Sequence, residues 1–328
     1  MRGTPLMAAL IRLCVALVLA TPLACAPKPA DTDKPEAGAK AAESAEGASR
    51  LPDDARIGRY VSSPWGFSTV SYWIEGEEGV VVIDTQFLPS AARELLRVAE
   101  DMTQKPVVAA IVLHPNPDKF NGAAVFQERG VPVLTSDQVI AAIPSVHAKR
   151  LAAFGERYRP DYPETAPTLE SFGDASTTLE LAGLPLQAIV LGPGCSDAHV
   201  AIAFDGHLFV GDLVATDGHA WLELGYVEEW RARLAQLQAL APKHVHPGRG
   251  PSAGAVALVD QDRYLALVAA IVDQERARLG EAPTRADLGA AIDRARARVV
   301  EAYPGLRFPV FLEIGIPAVF RRPRATQP

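Results

Sequence analysis

Short apolar runs alternate with amphipathic stretches along the middle of the chain. Runs rich in valine, isoleucine and leucine predict β-strands at residues 80–83, 107–113, 131–134, 186–191, 199–204 and 208–210. Residues 90–102 and 228–240 instead carry apolar side chains at helical spacing. Strands that alternate with helices in this way indicate an α/β domain.

The pattern changes after residue 252, where long helical periodicities replace the alternation. Residues 255–279 and 284–303 predict two helices, and we expect the apolar segment 308–312 to dock onto the domain. The chain is therefore divided into a domain at residues 51–252 and a helical C-terminal extension at residues 253–328 that packs on it.

The first 25 residues have the organisation of a signal peptide for export. An apolar stretch at residues 6–20 is interrupted by Arg12, and small residues follow at 24–26. A membrane span needs about 20 uninterrupted apolar residues, which this stretch lacks. Residues 22–25 resemble a bacterial lipobox, in which the cysteine, here Cys25, carries the lipid. Cleavage after Ala26 by an ordinary signal peptidase is the alternative.

Residues 26–50 are mostly small, charged or proline, with no aromatic and no β-branched apolar residue. Such a composition cannot bury enough apolar surface to fold, so it predicts a disordered tether. A tether of this kind suits a domain that a lipid holds near a membrane. We therefore expect a membrane-anchored lipoprotein of the bacterial cell envelope, with a soluble periplasmic or secreted form as the alternative.

The composition argues against a nucleic-acid partner and against an intramolecular disulfide. The formal net charge is −7, and nucleic-acid binding draws on clustered lysine and arginine, so we expect no nucleic-acid partner. Of the three cysteines, Cys14 and Cys25 lie in the predicted signal, which leaves Cys195 alone in the predicted domain. An intramolecular disulfide is therefore not expected.

Five short segments carry most of the chemistry of the predicted domain: residues 68–85, 114–122, 191–199, 207–214 and 245–250. In this order and at these spacings they resemble the motifs of the metallo-β-lactamase superfamily, from residue 59 to residue 251. The resemblance implies a four-layer αββα sandwich of two mixed β-sheets. It also implies a binuclear zinc site at one edge of the sandwich and a hydrolase activity.

The zinc ligands of this family fall on these positions of the chain: His114, Asn116, Asp118, Lys119, Cys195, Asp212 and Arg249. Only three of them, His114, Asp118 and Asp212, keep a residue type that the family uses. The imidazoles at the other positions are missing, and two of the replacements are cations, whereas zinc binds four N, S or O donors. We therefore expect no metal and no other cofactor. If zinc binds, the donors left for it are His114, Asp118, Cys195 and Asp212.

The two cations give the degenerate motif a physical interpretation. Without a metal, Asp118 and Asp212 would face one another in a partly buried cleft, where an uncompensated ion costs several kcal/mol. Lys119 and Arg249 restore the positive charge, so the sequence predicts an ion-pair network in place of zinc. In the alternative, both cations point to solvent, since lysine and arginine are mostly surface residues. The pocket would then have lost its zinc ligands without any replacement of the metal charge.

Cys195 and the histidines near it allow several interpretations. Cys195 and His114 could hold a soft metal, or they could form a cysteine-histidine dyad with a nucleophilic thiol. A single buried cysteine is also often only a small hydrophobe. His246 is either a ligand relocated from position 249 or a core histidine. His199, four residues after Cys195, is expected to line the same cleft without an assigned role.

The predicted function follows from the degenerate site. We expect the protein to bind a small molecule or a protein partner, without catalysis, in the cleft that corresponds to the zinc site of the family. The insertion at residues 148–175 is expected to form a lid, with aromatic side chains that line the cleft: Tyr158, Tyr162 and Phe172. The alternative is a hydrolase of the same superfamily, acting through a remodelled mononuclear site or through Cys195 without a metal.

Overall fold

A computed structural model describes residues 47–322 of the chain. The predicted signal at residues 1–25 with Cys25, residues 26–46 of the predicted tether and residues 323–328 lie outside the described residues. Among the helices between residues 47 and 322, none has the length and apolarity that crossing a membrane requires.

The first sheet has seven strands in chain order. They are β1 (Gly47–Arg50), β2 (Ile57–Val61), β3 (Val70–Glu75), β4 (Val80–Ile83), β5 (Val107–Ile111), β6 (Val133–Thr135) and β7 (Glu170–Ser171). Strands β1 to β4 run antiparallel and strands β4 to β7 run parallel, so the sheet is mixed.

Strand β1 corrects the predicted extent of the tether. Residues 47–50 pair with β2 from Gly47 opposite Val61 to Arg50 opposite Gly58. This pairing uses backbone groups at the edge of the sheet, which side-chain composition does not report. The folded part of the chain therefore begins before residue 51.

The second sheet has six strands in the order β13-β12-β11-β10-β9-β8. They are β8 (Thr177–Leu181), β9 (Leu184–Leu191), β10 (His199–Phe204), β11 (His207–Ala215), β12 (His244–Arg249) and β13 (Ala253–Gly254). Strands β11 and β12 are parallel and the other neighbours are antiparallel. The predicted strand at 208–210 is therefore the first part of the longer strand β11.

The facing surfaces of the two sheets form one core. Tyr72 of β3 packs against Phe209 of β11 with ring centroids 5.3 Å apart. Its hydroxyl donates a hydrogen bond to the carbonyl of Pro247 in β12 at 2.9 Å. Helix α1 and the short helix α3 pack beside the first sheet, and helices α5 and α6 pack beside the second: α1 (Pro89–Thr103), α3 (Ala123–Gln127), α5 (Val227–Gln238) and α6 (Val256–Ala277). The predicted four-layer αββα sandwich is confirmed.

Two helices that lie between the predicted elements were not predicted from the spacing of apolar residues. The single turn α2 (Pro117–Phe120) follows β5, and α4 (Asp137–Phe154) follows β6. The insertion expected at residues 148–175 therefore begins inside a helix. Both helices matter for the site, because they bring its charged and aromatic side chains together.

The C-terminal extension is helical, as predicted. Helices α7 (Arg285–Ala302) and α8 (Phe311–Arg321) pack on α6 through a shared apolar cluster that includes Val268, Val299 and Leu312. The fully buried carboxylate of Glu275 in α6 contacts three guanidinium groups, those of Arg278, Arg294 and Arg298. The extension therefore shares one core with the outer face of the second sheet.

Candidate functional site

The candidate site lies where the ends of several strands meet helix α2. His114 follows β5, Asp212 lies in β11 and Arg249 ends β12. Helix α2 adds Asp118 and Lys119. Four of these five side chains are buried, and Arg249 is the one nearest to solvent. The fold thus gathers residues that are distant in sequence at one edge of the sandwich.

Lys119 is fully buried among carboxylates. Its Nζ is 3.0 Å from Oδ2 of Asp118, 2.9 Å from Oδ1 of Asp212 and 3.8 Å from Oδ2 of Asp84. The ammonium is close to these oxygens but is not aligned with them as a hydrogen-bond donor. The contacts are therefore ion pairs defined by charge and distance.

Arg249 joins the same two aspartates from the open side of the cleft. One terminal nitrogen donates to Oδ2 of Asp212 at 2.5 Å, and the other donates to Oδ2 of Asp118 at 2.8 Å. We call Asp118, Lys119, Asp212 and Arg249 the charged network. Neither cation points to solvent, since the Lys119 side chain is not exposed and that of Arg249 is 13% exposed.

Gly248 leaves the space in which the charged network forms. A Cβ atom at this position would lie 2.3 Å from Oδ1 of Asp212 and 2.4 Å from Nζ of Lys119. Both distances are shorter than any ordinary contact of a Cβ atom. A larger residue would therefore displace the ion pair between Lys119 and Asp212.

The charged network fixes the protonation states of its members. Burial alone would raise the pKa of Asp118, but Lys119 and Arg249 hold it below its ordinary value. Burial would likewise raise the pKa of Asp212, and Arg249 and Lys119 hold it well below. For Lys119, burial acts to lower the pKa, and Asp118 and Asp212 raise it above its ordinary value. Asp84 differs, because burial raises its pKa to about 6 in spite of Lys119.

The binuclear zinc site that the resemblance implies does not fit these residues. The Nζ of Lys119 is within 3.0 Å of an oxygen of both Asp118 and Asp212, and Arg249 binds both as well. The oxygens that would coordinate a divalent ion are thus already paired with cations. A zinc ion beside them would be repelled at short range in a poorly solvated place.

A second group of side chains lies beside the charged network. It consists of His114, Cys195 and His199, which we call the neutral cluster because burial keeps Cys195 and His199 uncharged. Sγ of Cys195 is 3.1 Å from Nε2 of His199, and Nδ1 of His199 donates to the carbonyl of Gly192 at 3.1 Å. A carbonyl only accepts, so Nδ1 carries the proton and Nε2 accepts from the thiol. One donor atom from each member lies within 4.8 Å of the others, so the cluster could hold a metal ion.

The neutral cluster corrects the expected dyad of Cys195 and His114. The thiol faces His199, whereas Nδ1 of His114 faces the hydroxyl of Ser196 at 3.3 Å. Burial, together with the Asp212 carboxylate, raises the pKa of Cys195 well above its ordinary value. Burial also lowers the pKa of His199 to about 3. Both partners are therefore neutral, and Cys195 lacks the thiolate that nucleophilic attack requires.

His246 joins neither group. Its Nε2 is 2.9 Å from Nδ1 of His207, and its Nδ1 is 2.8 Å from the hydroxyl of Ser252. The ring packs between Tyr72 and Phe209 in the core between the sheets. The interpretation of His246 as a relocated metal ligand is therefore wrong, because both ring nitrogens are already bonded within the core.

A pocket opens in front of the charged network. Its polar side is formed by Asn116, Asp118, Asp212 and Arg249. The remaining wall is mainly aromatic and is formed by Phe67, Phe87, Pro117, Arg150, Phe154, Trp221 and Phe311. Its cavity volume is about 60 Å³, which is room for a few water-sized groups. The ring of Phe311 in α8 lies 5.9 Å from the guanidinium of Arg249, so the C-terminal extension completes the wall.

The insertion contributes Arg150 and Phe154 to this wall rather than the aromatic residues expected there, Tyr158, Tyr162 and Phe172. The two tyrosines are almost fully buried and pack behind Phe87 at 5.0 and 5.5 Å. Phe172 packs against the main core. These residues therefore support the aromatic wall and do not form a lid.

Sequence reasoning missed three contributors to the site: Asp84, Trp221 and Phe311. It placed His199 in the cleft, four residues after Cys195, but assigned it no role. Asp84 ends an apolar strand, which marks it as a boundary residue but not as a partner of Lys119. Trp221 and Phe311 had no local signal, since their part in the pocket depends on how the C-terminal extension packs.

Comparison with known proteins agrees with this architecture. The family model of the metallo-beta-lactamase superfamily matches residues 64–261. The metallo-beta-lactamase from Pontibacter korlensis is similar in structure at 20% identity and a TM-score of 0.54, covering 67% of this chain and 98% of its own. The mono-zinc form of the metallo-beta-lactamase FIM-1 from Pseudomonas aeruginosa is similar at 16% identity and a TM-score of 0.53, with 67% and 95% covered. Because the family model spans more than half of the sequence, the chain belongs to the metallo-beta-lactamase superfamily.

Proposed function

We propose that this protein is a binding member of the superfamily, in which Lys119 and Arg249 supply the positive charge of the zinc ions. The observation that carries the proposal is the position of the Lys119 ammonium, 3.0 Å from Asp118 and 2.9 Å from Asp212. Arg249 contacts the same two carboxylates. The cations therefore stabilise the cleft without a metal and leave a preformed pocket.

The chemistry of the site supports binding over catalysis. A general base works best when its pKa lies near the working pH. The pKa values of Asp118 and Asp212 are held below their ordinary range by two cations, so these carboxylates are weak bases. Cys195 is a buried thiol. The matched ligand positions thus supply neither an activated nucleophile nor a base of suitable strength.

The pocket supports a small and largely apolar ligand. Aromatic walls with a few polar groups at one side are typical of small-molecule sites. A polar group of the ligand would meet Asn116 and the exposed part of Arg249, while an apolar body would contact Trp221 and Phe311. A protein partner would have to insert a side chain into the same space.

Metal content and ligand binding test the proposal together. Protein purified from zinc-supplemented medium and dialysed against a mild chelator should hold far less than one equivalent of zinc. Fluorinated aromatic fragments, followed by ¹⁹F NMR, should bind the wild type and lose affinity in Trp221→Ala. The matched control is Trp65→Ala, because Trp65 is 51% exposed and does not line the pocket. Stoichiometric zinc, or equal binding by both variants, would reject the proposal.

A hydrolase with a remodelled mononuclear site is the second candidate. It is favoured by the donor atoms of His114, Cys195 and His199, which lie close enough to hold one ion. This candidate requires ester or β-lactam hydrolysis that disappears with chelator and returns with added metal. Hydrolysis at the same rate in metal-free protein would point instead to a metal-free mechanism.

We also propose that the chain is exported and anchored through a lipid on Cys25. The support is in the sequence, where an apolar stretch precedes Cys25 and a segment without aromatic residues follows it. Mass spectrometry of the membrane fraction should find a diacylated N-terminal Cys25. An unmodified N-terminus at Pro27 would establish cleavage by signal peptidase instead.

A further inference from the structure

The neutral cluster has the arrangement of a metal site that uses a ligand outside the matched family positions. His114, Cys195 and His199 are buried, and their donor atoms lie within 4.8 Å of one another. They come from three segments: the loop that follows β5, the loop between β9 and β10, and the first residue of β10. Such convergence differs from a lone buried cysteine, because a nitrogen of each of two imidazoles lies within 4.8 Å of the sulfur.

The orientation of the imidazoles adds a second, independent observation. Nε2 of His114 is buried and has no hydrogen-bond partner among residues 47–322. Nδ1 of His199 is fixed by the carbonyl of Gly192, so Nε2 is the acceptor, 3.1 Å from the sulfur of Cys195 and 3.3 Å from the backbone N–H of Ser196. Metal-binding histidines are oriented in this way, with the second nitrogen donating to a carbonyl or another polar group.

The donor set selects the kind of ion. Zinc with three protein ligands needs a water or another donor to complete its tetrahedron, and the cluster itself supplies three ligands. The nearest carboxylate is that of Asp212, 3.8 Å from Nε2 of His114, and it is held by Lys119 and Arg249. One thiolate and two imidazoles without a fourth donor suit a soft monovalent ion. The nearby cations also repel a monovalent ion less than a divalent one.

We propose that His114, Cys195 and His199 form a trigonal site for one Cu(I) ion, next to the charged network. On binding, the sulfur of Cys195 forms a bond to copper, and the thiol proton leaves to solvent, so the copper-thiolate unit is neutral. The cluster adjoins the pocket through Asp212, which lines the pocket and lies 3.8 Å from Nε2 of His114. The site goes beyond the proposed ligand binding and does not depend on it.

The test is anaerobic titration of metal-free protein with Cu(I) against the chromophoric chelator bicinchoninate. The wild type should take up one equivalent, and copper X-ray absorption should report one sulfur and two imidazole nitrogens. His199→Gln and Cys195→Ser should each weaken Cu(I) binding at least about 100-fold, since even an outer-sphere partner of a metal is worth about 10–100-fold. Zinc in place of copper should bind far more weakly.

The matched control is His246→Gln, which alters an equally buried histidine whose two nitrogens are bonded elsewhere. It should keep wild-type Cu(I) affinity even if it lowers thermal stability. Unchanged affinity in His199→Gln, or an equal loss in His246→Gln, would overturn the assigned ligands. One tightly held zinc ion at this cluster would overturn the assigned metal. Absent Cu(I) uptake by folded wild type would reject the site while leaving the pocket proposal intact.

Discussion

The charged network and the neutral cluster adjoin one another, yet they differ in how they tolerate burial. In the charged network, two cations and two carboxylates stay ionised because each has a partner of opposite sign within 3.0 Å. In the neutral cluster, Cys195 and His199 stay uncharged because burial outweighs the opposite charges of Lys119 and Asp212 near them. The charged network is therefore destabilised by the loss of any one member. The neutral cluster is destabilised by acid, because a proton would then place a charge on a buried group.

The largest expected effect comes from removing one cation. Lys119→Met keeps the length of the side chain but removes a buried cationic partner of Asp118 and Asp212. It should therefore lower the free energy of unfolding by about 3–5 kcal/mol. Denaturant unfolding at neutral pH measures this. The matched control is Lys105→Met, since Lys105 contacts Glu75 at 3.3 Å on the surface and should cost under about 1 kcal/mol. Similar losses in both variants would show that the network is not desolvated.

Restoring the family residues should turn the charged network into a metal site. The quadruple variant Asn116→His, Lys119→His, Cys195→His and Arg249→His replaces both cations with neutral donors. A thousandfold excess of free zinc over its Kd should then raise the free energy of unfolding by about 4 kcal/mol, while the wild type should not respond. Lys119→His alone should bind little, because Arg249 remains. A folded quadruple variant that ignores zinc would mean that the loops no longer hold the family geometry.

The charged network and the neutral cluster should respond differently to acid in their contributions to stability. The pKa of His199 is about 3 when folded and about 6.5 when unfolded. Between these values the unfolded chain binds a proton at this position that the folded chain does not, so the contribution of His199 to stability falls as the pH is lowered, by up to roughly 1.4 kcal/mol per pH unit. The carboxylates of the charged network have lowered pKa values, so their contribution is present above about pH 4 and is lost only below it.

Chemical denaturation between pH 4.5 and 6.5 measures this difference. His199→Gln should reduce the slope of stability against pH by about one proton. Asp118→Asn should lower the whole curve without changing that slope. An unchanged slope in His199→Gln would mean that the imidazole is charged in the folded state.

The smallest effect is expected within the neutral cluster. Cys195→Ser keeps a donor that can reach Nε2 of His199, so it should cost about 1 kcal/mol, in the range of one ordinary hydrogen bond. Thermal or denaturant unfolding of metal-free protein measures this. A loss comparable to that of Lys119→Met would indicate that the sulfur is an ionised partner of the charged network.

The sequence predicted those parts of the molecule that depend on short apolar runs or on motifs in a fixed order along the chain. Apolar runs predicted the strands, and the order of the motifs predicted the sandwich. The prediction that Lys119 and Arg249 meet Asp118 and Asp212 needed only the matched positions and the requirement that buried charges be compensated. Each of these inferences depends on residue types, which a sequence displays directly.

The missed features depend on backbone geometry and on distant packing. The pairing of Cys195 with His199 requires the turn that joins β9 and β10, and nothing in the side-chain pattern reports that turn. Strand β1 consists of residues with low strand propensity, and edge pairing with β2 orders them. The tyrosines of the insertion were assigned to the cleft because they are aromatic, but such side chains equally fill the layer behind it.

Phe311 makes the pocket a product of two parts of the chain. This ring belongs to the C-terminal extension, yet it faces Arg249 and completes the wall. Loss of the Phe311 side chain alone would therefore open one wall of the cleft and leave the charged network beneath it in place. Exchange of α8 between related proteins could in turn alter ligand preference without touching any residue that holds the charges.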